Sequence, residues 1–367
     1  MAYTTVDKPG DYFNTIVYEG NEDNSGIQAQ TGVGFQPDLV WVKNREGAFG
    51  HIWVDSVRGV GQTLTSRSTA AEEDEAGTVE VFGSDGFTVG EASQAAGPAV
   101  NQDEKDHVAW CWKCETAFSN DASATSVGSI DSVGKVNTTA GFSIVSYTGT
   151  GANATIAHGL GAKPQVIITK SRDTAQNWLV QHKYSIGSDG WTDSLVLNLT
   201  NAADDDASYW NDTEPTSTVF SVGSSALSNK SSDAMIAYCF AEKQGYSKFG
   251  SYTGNGSTDG TFVYTGFKPA FTLIKRTDSA TGGSWILFDN KRGTNVINPV
   301  DVVLAASNNQ SEADWGTTYD CDYLSNGFKW RFDGTGGYNN ASGGTYIYMA
   351  FAENPFVTST GVPATAR

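Results

Sequence analysis

Short apolar runs rich in Val, Ile, Trp and Phe recur along the chain, and clusters of Gly, Asn, Asp and Ser separate them. Three of these runs stand in similar surroundings: Leu39–Val42, Val166–Thr169 and Phe271–Ile274. β-Branched and aromatic residues favour strands, and runs without polar alternation favour strands that are buried on both faces. Signals for helices are nearly absent. The pattern therefore predicts an all-β protein built from antiparallel strands.

The surroundings of these runs repeat three times. A tyrosine opens each copy at Tyr18, Tyr147 and Tyr252, and a proline follows it after 19, 17 and 17 residues (37 − 18, 164 − 147 and 269 − 252). A lysine comes six residues after each proline (43 − 37, 170 − 164 and 275 − 269). The recurring positions are Pro37, Lys43, Trp53 and Cys111 in the first copy, Pro164, Lys170, Trp178 and Cys239 in the second, and Pro269, Lys275, Trp285 and Ala350 in the third.

These positions favour a structural interpretation. We expect the prolines to begin strands, and we expect the tryptophans to be buried core anchors rather than platforms for sugars. The lysines suggest a structural ion pair with a nearby Asp or Glu, for which the turns at Asp55 and Asp289 are candidates, although a ligand-binding role is an alternative. Because a cysteine in two copies is an alanine in the third, this position is typical of a tight core site for a small side chain.

The spacing of the copies predicts tandem antiparallel β-sandwiches of the jelly-roll or concanavalin-like lectin type. The predicted parts are repeat 1 at 15–118, a linker at 119–140 that is rich in Ser, Thr, Asp and Gly, repeat 2 at 141–245, repeat 3 at 246–356, and a tail at 357–367. Only a short junction separates the last two repeats. The copies could therefore form three separate sandwiches or intermix into fewer, larger ones.

Charge excludes several partners. Lys and Arg number 23 against 41 for Asp and Glu, which gives a net charge of −18, and basic residues form no cluster. Nucleic acid and anionic membranes need clustered positive charge and are poor partners for such a chain. The start, MAYTTVDKPGDYF, does not resemble a signal peptide, and no uninterrupted apolar stretch approaches 18 residues. We expect a soluble protein that is made in a cytoplasm.

Catalytic and metal-binding patterns are weak. Cys111 and Cys114 form a C-x-x-C, but no second pair accompanies it, so these cysteines, with Cys239 and Cys321, are expected to be buried thiols. Three runs of acids lack the strand context of a glycosidase site: 72–75, 103–106 and 204–206. Calcium at Asp204–Asp206 or at Asp320 and Asp322 is less expected than solvated acids. The sequence predicts no enzyme, no cofactor and no metal.

The sequence resembles a family of β-rich virion proteins of marine bacteriophages that are labelled tail-fibre-like or structural. The motifs that carry the resemblance are Lys8–Thr15, Gly32–Arg45, Asp55–Gly59, Gly245–Gly256 and Tyr346–Phe356. They span nearly the whole chain. They are scaffold motifs, so they identify relatives without identifying a ligand.

The resemblance implies a noncatalytic component of the virion surface. One expectation is a tail fibre or appendage that recognises a host glycan or protein, as a homo-oligomer attached to other virion proteins. The alternative is a decoration or head-appendage protein that packs on the major capsid protein. A glycan-degrading enzyme is the least expected function. In either structural role, residues 1–14 are the candidate attachment segment.

Overall fold

The computed structural model describes residues 4–21, 27–90, 97–185, 190–293, 298–314 and 318–363. In this part of the chain the protein is all-β and antiparallel, which confirms the predicted fold class. The described helices have four or five residues each: α1 Gly97–Asn101, α2 Ala122–Thr125, α3 Ala207–Trp210 and α4 Ala226–Asn229. None of them is long and apolar enough to cross a membrane.

The strands group into three units. Unit 1 contains β1 Phe13–Glu19, β2 Ile27–Thr31, β3 Leu39–Asn44, β4 Ile52–Asp55, β5 Gln62–Thr65, β6 Glu73–Asp74, β7 Val79–Gly83, β8 Gly86–Gly90 and β9 Asp106–Trp112. Unit 2 contains β10 Thr116–Asn120, β11 Ser132–Asn137, β12 Phe142–Thr148, β13 Ala154–Ala157, β14 Val166–Ser171, β15 Leu179–His182, β16 Asp193–Val196, β17 Asp204–Asp205, β18 Val219–Val222 and β19 Ala234–Phe240. Unit 3 contains β20 Ser247–Thr253, β21 Phe262–Tyr264, β22 Phe267–Arg276, β23 Ile286–Asp289, β24 Val302–Ala305, β25 Ala313–Asp314, β26 Cys321–Leu324, β27 Gly327–Trp330 and β28 Thr345–Pro355.

Each unit has a large sheet with the same strand order. The orders are β1-β9-β3-β4-β5-β6 in unit 1, β12-β19-β14-β15-β16-β17 in unit 2 and β20-β28-β22-β23-β24-β25 in unit 3. A small sheet covers one face of each large sheet: β2-β8-β7, β13-β18 and β21-β27-β26. In unit 2, β10 and β11 extend the large sheet beyond β12. Each unit is therefore a β-sandwich with one large and one small layer.

The other faces of the three large sheets pack together in one central core. Side chains on a strand alternate between its faces, so Leu39 and Trp41 enter this core while Val40 and Val42 face the small sheet of unit 1. In the equivalent strands of units 2 and 3, side chains likewise alternate between the central core and the small sheet of their unit. The central strands are thus buried on both faces, as their uninterrupted apolar runs predict.

An aromatic cluster joins the three units in the central core. The ring of Phe351 in unit 3 lies 5.1 Å from that of Phe13 in unit 1 and 6.0 Å from that of Phe240 in unit 2. Phe240 in turn lies 6.5 Å from Trp112 of unit 1. Each unit thus has its own large and small sheet, while aromatic side chains of all three units meet in the central core.

In each unit a tyrosine and a glycine at the end of β1, β12 or β20 fasten that strand to the segment before β9, β19 or β28. The tyrosine hydroxyls donate to carbonyl oxygens at 2.5 to 2.6 Å: Tyr18 to Val100, Tyr147 to Ser228 and Tyr252 to Asn339. The glycine two residues later lies against the same segment. A Cβ atom on it would come within 2.1 to 2.3 Å of a carbonyl oxygen: Gly20 to Gln102, Gly149 to Lys230 and Gly254 to Ala341.

Buried asparagines complete this fastening, and the sequence analysis missed them. In unit 2 the side chain of Asn229 accepts from Thr150 N at 2.7 Å and donates to Gly223 O at 2.9 Å. Asn101 and Asn340 make equivalent contacts in the other units, and all three are fully buried. Each stands ten residues before the recurring Cys111, Cys239 or Ala350 (111 − 101, 239 − 229 and 350 − 340). That constant spacing is a sequence signal that could have found them.

The predicted linker needs correction, and the described part of the predicted attachment segment belongs to the folded body. The predicted linker 119–140 contains α2 and β11, because its Val133 and Val136 occur in a strand that pairs with β12. The described residues of the predicted attachment segment pack on the body, with Thr4 Oγ1 donating to Gln244 O at 2.7 Å and Val6 in the central core. Residues 1–3 and 364–367 lie outside the described residues. The attachment role stays a prediction.

Two of the three prolines lie just before a central strand. Strand β3 starts two residues after Pro37, and β14 starts two residues after Pro164. In unit 3 the prediction needs correction, since Pro269 lies inside β22 at a shift of register against β28. A bulge accommodates proline within a strand because no ladder hydrogen bond is required there.

Candidate functional site

The recurring tryptophans are buried, as predicted, but one of them is not equivalent to the others. The carbonyl oxygens of His51, Trp178 and Trp285 accept equivalent hydrogen bonds from Ser66, Leu197 and Ala306, so His51 takes the position of the other two tryptophans. Trp53 pairs with Trp41 in the register of β3 and β4, where unit 2 pairs Ile168 with Val180. A shift of two residues keeps a side chain on the same face of a strand. For this reason the error in alignment did not change the predicted burial.

The tryptophans of units 2 and 3 also connect neighbouring units. Trp178 Nε1 donates to Thr65 O of unit 1 at 3.0 Å, and Trp285 Nε1 donates to Val196 O of unit 2 at 2.9 Å. Their polar edges are therefore used in the scaffold. Neither ring is available as a sugar platform.

The recurring lysines lie where the units meet. Lys170 Nζ donates to Ser171 O at 2.7 Å and to Thr69 O of unit 1 at 3.3 Å. Lys275 Nζ donates to Asn201 O and Thr200 O of unit 2 at 2.8 and 3.2 Å. The predicted ion pair with Asp55 or Asp289 is wrong, because the lysines instead cap backbone carbonyl groups.

The lysines are fully buried, and this shifts their protonation. Lys43 Nζ donates to Asn44 O at 2.5 Å and to Gly47 O at 2.9 Å within unit 1. Burial lowers the pKa of Lys43 and Lys275 to about 7 and that of Lys170 to about 8. Removing an ammonium group from water disfavours its charged form.

Asp55 and Asp289 bind arginines instead. At the unit 1–2 interface, Arg58 Nε lies 2.5 Å from Asp55 Oδ2, and its Nη1 lies 2.9 Å from Glu72 Oε2. Glu72 also binds Arg172 of unit 2, with 2.6 Å between Nη2 and Oε1. The hydroxyl of Tyr238 in unit 2 donates to Asp55 at 2.8 Å. Four charged side chains thus form one largely buried network across this interface.

The unit 1–3 interface has the same network. Arg292 Nε lies 2.7 Å from Asp289 Oδ2, and its Nη1 lies 2.8 Å from Glu312 Oε2. Glu312 also binds Arg45 of unit 1 at 2.8 Å. Trp110 Nε1 of unit 1 donates to Asp289 at 2.9 Å, at the position that Tyr238 takes in the first network.

The unit 2–3 interface has lost the whole network. Three equivalent backbone hydrogen bonds locate its positions: Glu72 N to Arg172 O at 2.7 Å, Glu312 N to Arg45 O at 2.6 Å and Ala203 N to Thr277 O at 2.8 Å. Ala203 therefore replaces the glutamate, and Thr277 replaces the outer arginine. By register and spacing His182 replaces the aspartate and Ser185 the inner arginine. All four positions are without formal charge when the histidine is neutral.

His182 is held in its neutral form. Its Nδ1 accepts from Tyr184 N at 3.1 Å, which places the ring hydrogen on Nε2, 3.2 Å from Tyr348 O of unit 3. Burial lowers the pKa of His182 to about 4. His182 therefore adds no charge to this interface at neutral pH.

An open cavity of about 650 Å³ lies at this unit 2–3 interface. Its lining consists of hydroxyl-bearing and aromatic residues with one cation: Lys183, Tyr184, Ser185 and Gly190 of unit 2, and Ser251, Tyr252, Thr253, Thr277, Thr345 and Tyr346 of unit 3. Ser185 and Thr277, which stand at two of the four positions equivalent to the network, line this cavity. We call this space the unit 2–3 cavity. It is the candidate functional site.

Several acids of the predicted runs form ion pairs or caps, or lie exposed to solvent. Glu72 is held between two arginines, Asp204 and Asp205 are exposed in β17, and Asp206 caps α3 through Ser208 N at 2.8 Å. Asp322 pairs with Arg331. Among the described residues, no three His, Cys, Asp or Glu side chains lie close enough together to hold a metal ion.

The four cysteines are free and buried, as predicted. Cys111 and Cys239 face the cores beneath the small sheets of units 1 and 2, where Ala350 is found in unit 3. Burial raises the pKa of the Cys111 and Cys239 thiols. They are packed as small apolar groups.

Comparison with known proteins places the chain in one family. No curated protein matches it. Residues 8–355 match the domain of unknown function DUF7483, a segment that covers all three units from before β1 to the end of β28. With nearly its whole length matched, the chain belongs to the DUF7483 family.

Proposed function

We propose that the chain is a noncatalytic virion component that acts at the phage surface in host recognition, as part of a tail fibre or appendage. The observation that carries this proposal is the unit 2–3 cavity, a concave site lined by hydroxyl-bearing and aromatic residues on an otherwise repetitive scaffold. Recognition sites are commonly formed where a rigid framework presents a concave surface. The likeness of the sequence motifs to phage virion proteins supplies the biological setting.

The scaffold suits this role because its three units share one core. A chain that packs three sandwiches around one core holds the lining of the cavity, which comes from two units, in a fixed geometry. Preorganisation of this kind lowers the cost of binding. The homo-oligomer remains a prediction, as does attachment through residues 1–14.

A second candidate, a decoration protein of the capsid, is favoured by a different surface. The side chains of Phe262, Tyr264 and Phe356 in unit 3 are 43%, 59% and 37% exposed. Tyr264 and Phe356 line a cleft of about 470 Å³ that also contains the ion pair between Glu242 and Lys248. Exposed apolar residues beside a polar rim are typical of surfaces that contact another protein.

The position of the chain in the whole particle separates the two candidates. A reconstruction of the virion by electron cryomicroscopy is expected to show the three-unit body at the tail periphery, with the unit 2–3 cavity facing outward. Density on the capsid lattice, with Tyr264 and Phe356 against the major capsid protein, would refute host recognition and establish the decoration role.

A further inference from the structure

We propose that the unit 2–3 cavity binds a neutral saccharide, with the ring of Tyr184 as the contact surface and Ser185 Oγ as a hydrogen-bonding group. This inference rests on the proposed function, since it names the class of ligand that host recognition would use. Four observations support it: the space that the lost network leaves, an unpartnered hydroxyl, exposed aromatic surface and the sign of the protein's charge.

The loss of the network explains why there is space for a ligand. At the other two interfaces, Arg45 and Arg172 extend from the ends of the central strands to a glutamate of the next unit. Thr277, at the equivalent position, is too short to span that gap, and Ala203 offers it no partner. A volume of about 650 Å³ lies within the range of roughly 300 to 1,000 Å³ that is usual for small-molecule sites.

Ser185 provides a buried polar group without a partner. Its side chain replaces the inner arginine, is 3% exposed and lines the cavity, and Ser185 Oγ has no hydrogen-bond partner among the described residues. Leaving a buried hydroxyl unsatisfied costs free energy. A ligand hydroxyl would satisfy it. Exposed Ser251 and Thr253 bring further hydroxyl groups to the opposite wall.

The aromatic residues provide flat apolar surface. Tyr184 is 38% exposed, and Lys183 Nζ lies 5.2 Å from its ring centroid. On the wall from unit 3, the half-buried ring of Tyr252 stacks on the ring of Tyr346, which is only 1% exposed, with 5.0 Å between centroids and 13° between planes. The Tyr252 and Tyr346 hydroxyls are already bonded to carbonyl oxygens. Rings that are held rigidly beside hydroxyl groups suit a sugar, which has apolar C–H faces and polar edges.

Charge favours a neutral ligand over an anionic one. The chain carries a net charge of −18, and Lys183 is the one cationic side chain among the described residues of the lining. The summed field of an acidic protein disfavours the approach of anions. Sulfated or carboxylated glycans are therefore the less favoured ligands.

Binding of the full-length chain to a glycan array tests the inference. The array carries neutral oligosaccharides together with sulfated and sialylated ones, and the best neutral ligand is then titrated by calorimetry. Tyr184→Ala removes the exposed ring without opening the core. The double variant Thr277→Arg, Ala203→Glu introduces the pair that bridges the other two interfaces, and it places an arginine at Thr277 in the lining of the cavity. Tyr264→Ala, which removes an exposed ring elsewhere, is the matched control.

We expect the unmodified chain to bind neutral glycans. Tyr184→Ala and the double variant should weaken that binding at least about tenfold, which is a difference of about 1.4 kcal/mol, while Tyr264→Ala binds as before. Thermal unfolding of each variant shows whether it is folded. The inference is overturned if no neutral glycan binds, if both cavity variants bind normally, or if binding is confined to anionic glycans and is lost in Lys183→Gln.

The two proposals fail in different ways. A chain that is found at the tail periphery but binds no neutral glycan would leave host recognition intact and remove the saccharide. A chain that is found on the capsid lattice would remove host recognition, whatever the array shows.

Discussion

Gly20, Gly149 and Gly254 are glycines because the chain passes too close to a neighbouring backbone for any side chain. A Cβ atom at Gly149 would lie 2.1 Å from Lys230 O, well inside van der Waals contact. In unit 2 the hydroxyl of Tyr147 donates to Ser228 O of the segment that Gly149 approaches, and Asn229 of that segment donates to Ala152 O and Gly223 O. These residues fix where the last strand of each large sheet begins.

Replacing Gly149 with alanine should therefore destabilise the protein. Steric overlap with an immobile carbonyl group forces the backbone apart, and we expect the free energy of unfolding to fall by roughly 1 to 3 kcal/mol. Urea denaturation followed by tryptophan fluorescence measures the change. Gly10→Ala is the control, because nothing lies within 4 Å of a Cβ atom built there. Equal stabilities of the two variants would show that the close approach does not exist.

The buried lysines predict how stability depends on pH. An unfolded lysine keeps its proton to about pH 10.4, whereas burial lowers the pKa of Lys275 to about 7 in the folded chain. Between these values the unfolded state binds more protons, so the free energy of unfolding rises with pH. We expect the contribution of the buried lysines to raise the melting temperature of the unmodified chain from pH 7 towards pH 10.

The variant Lys275→Met isolates this effect. It should flatten the rise between pH 7 and pH 10, because one of the three buried lysines no longer titrates. Lys163→Met is the control, since the Lys163 side chain is 41% exposed in its pair with Glu214. If Lys275→Met and Lys163→Met have the same pH dependence, Lys275 is charged in the folded state and this explanation fails.

At each of the three interfaces, the four charged residues of the network are either all present or all replaced. Removing one partner of a buried ion pair leaves the other charge uncompensated, whereas removing the complete set does not. Interfaces 1–2 and 1–3 keep all four charges, and the 2–3 interface keeps none of them. Met349, at the position of Trp110 and Tyr238, also lacks the donor that they direct at an aspartate.

This pattern predicts strong coupling between the members of a network. Arg58→Ser alone should cost about 3 to 5 kcal/mol, because Asp55 then stays buried without its cationic partner and Glu72 keeps only Arg172. The quadruple variant Asp55→His, Arg58→Ser, Glu72→Ala, Arg172→Thr copies the neutral set of the 2–3 interface and should be less destabilised than Arg58→Ser. Chemical denaturation of both variants measures the difference. A quadruple variant whose loss equals or exceeds that of the single variant would contradict this coupling.

The sequence predicted the central strands, but it did not predict which side chains of different units contact one another. Apolar runs without alternation identified the doubly buried strands, and recurrence identified the three central lysines. The pattern could not assign Trp53, because positions two residues apart share a face of a strand. It could not reveal that Arg172 meets Glu72, since these residues are 100 positions apart (172 − 72) and belong to different units. The described lining of the cavity comes from separate segments of units 2 and 3 that only the folded interface brings together.

At the scale of the molecule, the central feature is one core enclosed by three large sheets. The inner face of each large sheet is covered by the other two units, and Phe351 contacts aromatic rings of all three units. A unit that unfolded alone would expose the inner faces of its neighbours to water. We therefore expect the units to be stable only together.

Differential scanning calorimetry of the intact chain and of Phe351→Ala tests this claim most directly. We predict a single transition for the intact chain, with equal calorimetric and van't Hoff enthalpies. Phe351→Ala should lower the temperature of that whole transition, at a cost of roughly 3 to 5 kcal/mol, without splitting it. Separate transitions in the intact chain, of which Phe351→Ala moves only one, would show that the units fold independently and would contradict the shared core.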